Sequence, residues 1–339
     1  MTAASPHLTI ELVNLCNLHC SYCVRDDEAL HRSKAQYLAP ELLRRILEEA
    51  RAALGLEWVS FTGGEVTLHP RFGEILKVVG EVGLQCSFIT NGWHFERVWP
   101  ALREQRAVVR NVAFSLDGAT AEAHDRWRGA GSLARVMKAF ALCHFHQIPF
   151  IVKTVLRRDV VPQLEALALL TARLGAAELH FIHFLPTDAQ FAAEHALTLK
   201  EQRRAEQEIA TLGNIFKMSI GVDVGYYDLD PAPPCSVLRH QSANLDYRGR
   251  LTLCCNLAGF RGGAAESDVI ADLTQTSFAE ALPRLRDVAT QQVARRQNAL
   301  AGKPANAIEL NIGSPCLFCL ASFAKVPWQS ASATPEKYL

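Results

Sequence analysis

The sequence predicts an α/β protein, a parallel sheet backed by helices, with a smaller α+β region after it. Three observations carry that reading. From about residue 8 to 185, short β-branched runs alternate with amphipathic stretches, the signature of successive βα units. Glycines and short polar residues stand just after those runs, where such sheets keep their chemistry. Beyond Pro186 the alternation gives way to a charged helical stretch and then to DPAPPC at Asp230–Cys235, a stiff, turn-rich linker.

Taken in order, strands are expected at His7–Asn14, Trp58–Thr62, Gln85–Thr90, Asn111–Leu116, Phe150–Leu156 and Glu178–His183. Between them, Pro40–Leu54 places Leu42, Leu43, Ile46, Leu47 and Ala50 near one helical face, and Pro162–Leu174 does so with Leu164, Leu167 and Leu170. Pro40 and Pro162 suit the first turn of a helix. Six such units make either an open doubly wound sheet or an incomplete barrel, and periodicity does not choose. After Pro186 come a helix at Leu199–Ile215, a hairpin at Ala243–Cys254 turning at Tyr247-Arg248-Gly249, and a helix at Ser277–Gln297. The expected division is a core over 1–190, a helical connection over 191–230, a second domain over 231–329 and a flexible tail over 330–339.

With 339 residues, 49% of them hydrophobic, the chain buries a substantial core. Lys plus Arg and Asp plus Glu balance at 35 each, so no overall field favours nucleic acid or an anionic membrane. The opening MTAASPHLTIELVNLCNLHC lacks a basic segment followed by a long apolar run, and no apolar stretch is long enough to span a bilayer. A cytoplasmic location is the expectation. Thiols stay reduced there, so the ten cysteines point to metal ligands and small buried residues rather than disulfides.

Cys16, Cys20 and Cys23 form C-x3-C-x2-C directly after the first strand. Three thiolates on one short loop can bind three irons of a [4Fe-4S] cluster and leave the fourth open to a small molecule. The competing reading is a zinc loop or buried thiols. With Tyr22 before its last cysteine and Gly63-Gly64-Glu65 after the second strand, this loop resembles the radical S-adenosylmethionine (SAM) superfamily. The resemblance implies an incomplete (β/α)6 barrel of the TIM type. It also implies an open iron that chelates the amino and carboxylate groups of SAM, and cleavage of SAM to a 5′-deoxyadenosyl radical that takes a substrate hydrogen. An external one-electron reductant such as flavodoxin or ferredoxin follows as a partner. Gly63 and Gly64 let backbone come close, and Glu65 is suited to accept from an ammonium group. Asn91, Ser115 and Asp117 close the third and fourth strands as candidate SAM contacts, with ordinary turn chemistry as the alternative. Arg128 and Arg157 are candidates for the SAM carboxylate.

Cys235, Cys254 and the pair Cys316 and Cys319 supply four further thiolates, enough for a second [4Fe-4S] cluster or a zinc site. Their spacing resembles the twitch form of the SPASM-like auxiliary domain, as in the aminocyclitol dehydrogenase of butirosin biosynthesis, and implies one fully ligated auxiliary cluster. Cys255 is expected to alternate to the other face of a strand from Cys254. It is a candidate hydrogen-atom donor, as in radical SAM epimerases, with a buried small residue as the alternative. Cys86 and Cys143 fall in a strand and a helix and belong to the core. His180 and His183, three apart on a strand, face opposite ways and make no metal pair. Asp223 and Tyr226-Tyr227 lie between the two regions, suited to an interface or to substrate.

The expected activity is hydrogen abstraction from a small polar metabolite such as an amino sugar or aminocyclitol, ending in dehydrogenation or epimerisation. The cluster loop begins at Cys16, with no room before it for a peptide-recognition domain, which favours the small molecule. Radical epimerisation or crosslinking of a ribosomally made peptide is the alternative. An iron–sulfur electron carrier or zinc protein is the reading from another class.

Overall fold

The computed structural model describes residues 6–25, 27–223, 228–261, 266–304 and 307–328. Tyr226, Tyr227 and the expected tail at 330–339 lie outside them.

The six expected strands form as β1 (His7–Glu11), β2 (Trp58–Thr62), β3 (Gln85–Thr90), β4 (Val109–Ser115), β5 (Phe150–Leu156) and β6 (Glu178–His183). A helix or helix pair follows each of the first five: α1 (Pro40–Leu54), α2 (Phe72–Glu81), α3 (Phe95–Glu104), α4 (Ala121–Arg128) with α5 (Ser132–Phe145), and α6 (Leu164–Arg173). α1 begins on Pro40 at its first turn and buries Leu43, Ile46, Leu47 and Ala50, the stripe its sequence spacing sets out. After β6 come α7 (Ala189–His195), α8 (Leu199–Ile215) and a strand, β7 (Ser219–Val222). Thr198 and Glu201 close a capping box at the start of α8.

The strands run β1 to β7 side by side in chain order, all parallel. A doubly wound sheet reverses its strand order at a switch point, and this one does not. Right-handed crossovers taken always in one direction put every helix on the same face and leave the other to curl around a lumen. The sheet is therefore a partial barrel.

Side chains alternate accordingly. On β5, Phe150, Val152, Thr154 and Leu156 are buried towards the helices, while Ile151, Lys153 and Val155 are half-buried on the concave face. The register sets Ser115 beside Lys153 and Lys153 beside His180, one polar row across β4, β5 and β6.

The C-terminal region extends the same sheet. β8 (Ser242–Leu245) pairs parallel to β1, and β9 (Arg250–Thr252) and β10 (Val269–Asp272) follow antiparallel, giving ten strands in one sheet. α9 (Phe278–Leu300), capped by Ser277 and Glu280, α10 (Leu310–Gly313) and α11 (Pro315–Ser322) complete it. Two expectations shift. The stretch 191–230 carries a strand as well as helices, and the 243–254 hairpin adds to the first sheet instead of standing alone. Among the described residues no helix is long and apolar enough to cross a membrane.

Candidate active site

The loop that carries Cys16, Cys20 and Cys23 leaves the C-terminal end of β1, and its own backbone is what the Gly63-Gly64 pair accommodates. Gly64 N–H donates to Val13 O and Glu65 N–H to Leu15 O, both at 2.8 Å. A Cβ on Gly63 would stand 2.5 Å from Val13 O, and one on Gly64 2.0 Å from Leu15 O. The glycines thus seat the cysteine loop against the end of β2, a close approach no other residue permits. Asn14, which sequence reasoning missed, pins the loop's base: its Nδ2 donates to Ala29 O (2.9 Å) and Lys34 O (3.2 Å), and its Oδ1 accepts from Gln36 N–H (2.8 Å). Asn91 reaches the loop from the end of β3, donating to Asn17 Oδ1 at 3.0 Å.

Glu65 is bonded within the fold. It is buried, and its Oε1 accepts from Thr67 Oγ1 and Thr90 Oγ1 at 2.6 Å each, while Oε2 accepts from Asn91 N–H at 2.8 Å. The carboxylate ties the end of β2 to that of β3, and the surface it leaves at the site is the backbone of the Gly63–Glu65 turn.

Asp117, Arg128, Arg157 and Tyr22 likewise meet each other. Asp117 is fully buried; its Oδ2 accepts from the Tyr22 hydroxyl and from Arg128 Nε at 2.5 Å, and Arg157 lies 3.5 Å from its Oδ1. Burial alone would raise the Asp117 carboxyl, but the two guanidiniums and the Tyr22 hydrogen bond hold it well below the usual carboxylate range. Arg157, with no exposed surface, is sandwiched over Tyr22 (4.7 Å) and Trp127 (4.2 Å) and also pairs with Asp159. This brace backs the loop at Cys20, and the two arginines stand within it. Ser115 alone of these candidates is half-buried on the concave face with no hydrogen-bond partner among the described residues.

Further into the lumen, Lys153 Nζ pairs with Asp223 Oδ2 at 2.5 Å, and His180 stands between Asp223 (3.3 Å) and Glu178 (2.6 Å). Hydrogen bonds to Asp223 and Glu178 raise the His180 imidazole against its burial. His183 is apart from it, against Ser314 Oγ. Asp223, expected between the regions, thus faces the lumen.

The second quartet assembles from three places. Cys235 follows the linker, Cys254 the end of β9, and Cys316 and Cys319 sit on α11. Cys255 departs from its expected place, because β9 ends at Thr252 and Cys254–Ala258 is a turn in which Leu257 and Ala258 N–H both bond to Cys254 O at 3.1 Å. Strand alternation therefore does not separate the two thiols. The adjacent Cys254 thiol, with Arg25 and Lys153 nearby, lowers the Cys255 thiol against its burial. Cys86 and Cys143 are core, as expected.

Burial pushes the thiols of Cys16 and Cys319 up to about 12, and those of Cys20 and Cys235 rise for the same cause. Such sulfurs become thiolates when a cation displaces their protons. Among the described residues no three cysteines bring their sulfurs within 4.8 Å of one another. Three thiols in the first set and four in the second match the donor counts of a [4Fe-4S] cluster with one open iron and of a fully ligated one.

The two sets are laced together. Arg25, two residues after Cys23, pairs with Glu11 at 2.7 Å, donates to Ala258 O and bridges to Phe260, while Arg261 N–H bonds to Val24 O at 2.9 Å. Burial raises Glu11 to about 7 in spite of Arg25.

A glycine-seated C-x3-C-x2-C loop at the mouth of a partial parallel barrel defines the class, and residues 10–168 match the model of the radical SAM superfamily. The chain carries a radical SAM domain, whose cofactors are a [4Fe-4S] cluster and SAM. Mycofactocin maturase MftC of Mycobacterium ulcerans (strain Agy99) is 34% identical over 179 residues, 50% of this chain and 45% of MftC. The PqqA peptide cyclase of Ruegeria pomeroyi is 33% identical over 183 residues, 53% of this chain and 47% of the cyclase. The chain spans about half the length of the curated relatives it matches. Streptococcus suis SuiB bound to S-adenosylmethionine has a TM-score of 0.68 at 13% identity, over 84% of this chain and 68% of SuiB. For anSMEcpe with bound AdoMet the TM-score is 0.66 at 14% identity, over 85% and 80%. Likeness at that identity speaks to fold alone.

Proposed function

We propose that this chain is a radical SAM enzyme that modifies a peptide, with Cys16, Cys20 and Cys23 holding the SAM-binding [4Fe-4S] cluster and Cys235, Cys254, Cys316 and Cys319 a second one. The observation that carries the chemistry is the cysteine loop seated on Gly63 and Gly64. When bound, cluster and SAM supply a 5′-deoxyadenosyl radical able to take a hydrogen atom from substrate. The chain's residues orient and enclose. Asn14 and Asn91 fix the loop, Glu65 fixes the turn whose backbone would face SAM, and Ser115 would offer its hydroxyl. The Asp117, Arg128 and Arg157 brace keeps the side of Cys20 dry. Lys153, His180 and Asp223 present charge to substrate in the lumen.

The peptide replaces the amino sugar or aminocyclitol expected from sequence. Support comes from the PqqA peptide cyclase and MftC, from the SuiB structure bound to precursor peptide SuiA, and from anSMEcpe bound to a Cp18Cys peptide. The test is anaerobic incubation of the reconstituted chain with SAM, a low-potential reductant and deuterated candidate peptides. Deuterium should enter 5′-deoxyadenosine, and Cys16→Ala should abolish it. A full iron complement without 5′-deoxyadenosine sinks the enzyme reading. Label transferred from an aminocyclitol and from no peptide restores the small molecule.

A further inference from the structure

We infer that Asn256 and Gln292 are positioning residues that hold thiolates of the second centre and raise its reduction potential. The inference rests on the proposed assignment of a [4Fe-4S] cluster to Cys235, Cys254, Cys316 and Cys319. Asn256 straps two ligands that lie far apart in sequence: its backbone N–H donates to Cys254 Sγ at 3.4 Å and its Nδ2 to Cys316 Sγ at 3.9 Å. From α9, Gln292 Nε2 donates to Cys319 Sγ at 3.7 Å.

Gln292 is the more telling of the two. It is 1% exposed, and its Oε1 has no hydrogen-bond partner among the described residues. An unsatisfied buried polar atom costs about 1–3 kcal/mol. A neutral thiol is a weak acceptor and offers little in return, whereas an anionic sulfur makes a charge-assisted bond about twice as strong. The side chain is placed to serve a thiolate. One turn further along α9, Arg296 is 2% exposed and donates to the backbone carbonyls of Asp228 and Asp230, which sets a guanidinium on the same helix face as Gln292.

The first centre differs. Leu18 N–H donates to Cys16 Sγ at 3.5 Å, and among the described residues no side-chain amide donates to Cys16, Cys20 or Cys23. Donors to cluster sulfurs favour the reduced, more negative state and raise the potential. Two side-chain amides therefore act on the second centre and none on the first, so removing them should lower the second centre's potential and leave the first's in place.

The experiment is a redox titration of the reconstituted full chain followed by electron paramagnetic resonance, with iron and sulfide analysis on the same samples. In the wild type two reductions are expected, one for each centre. Gln292→Met and Asn256→Leu, which keep volume and remove the amide donor, should each move the second centre's potential down. The fall in its reduction equilibrium should be on the order of tenfold, 59 mV for one electron. Iron content and the first centre's potential should stay unchanged. Should one variant not fold, the other carries the test. An unmoved potential at full iron content in a folded variant overturns the inference. A wild type with iron for one cluster and a single reduction overturns the assignment beneath it, and is told apart by its missing second signal.

Discussion

At the residue scale, Asp117 is the side chain whose loss has the clearest price, because two buried guanidiniums converge on it. Asp117→Asn should destabilise the chain by about 3–5 kcal/mol, the usual cost of stranding buried charge, read as a lower midpoint of thermal or denaturant unfolding. The carboxyl is held below its ordinary value, so its stabilisation is complete above the usual carboxylate range near 3.9 and is lost as pH falls through the lowered value. The difference between wild type and Asp117→Asn should stay flat from pH 5 to 8 and shrink in acid; a difference that grows in acid rejects this account. Cys255 gives a second prediction. If the peptide is crosslinked or otherwise oxidised, Cys255→Ala should keep product formation, whereas an epimerase would stall at the substrate radical. Product stereochemistry and mass decide between them.

At the scale of elements, the sequence was most legible where an element makes its own case. Trp58–Thr62, Gln85–Thr90, Phe150–Leu156 and Glu178–His183 fall where expected, since β-branched runs bounded by turn residues are local signals. β7 escaped notice because Ser-Ile-Gly-Val is short and glycine-bearing, and only pairing with β6 makes it a strand. The pairing of β8 with β1 has no local signature either. At the site the same split holds. The spacing of Cys16, Cys20 and Cys23 announces itself, while Asn14, Asn256 and Gln292 are ordinary polar letters until the fold brings their partners close. The protein partners of Glu65 and Asp117 were not legible for the same reason, since they lie on other strands and helices. One element deserves a direct experiment. Gly64→Ala should drive the cysteine loop off β2, because the new Cβ would meet Leu15 O at 2.0 Å. Iron at the first centre should fall sharply while the second is retained; normal loading of both counts against the seating role.

At the scale of the whole molecule, the two cysteine regions belong to one sheet, and Arg25, Glu11 and Arg261 sew the first loop to the turn beyond β9. A chain cut before Ser242 should therefore lose more than its second centre. It leaves the β1 edge open and should accumulate as aggregate with little iron at Cys16, Cys20 and Cys23, by size-exclusion chromatography and iron analysis. Soluble, one-cluster material would show that the barrel stands alone.

The pairing of residue 7 with residue 242 also sets a clock. On the ribosome the outer neighbour emerges about 235 residues after β1, a wait of roughly 10–50 s at 5–20 residues per second. Throughout that interval the strand edge beneath the cysteine loop is bare. Stable seating of the loop should therefore wait for β8, and a holdase bound to the nascent barrel should raise the yield of loaded protein, read as iron per purified chain.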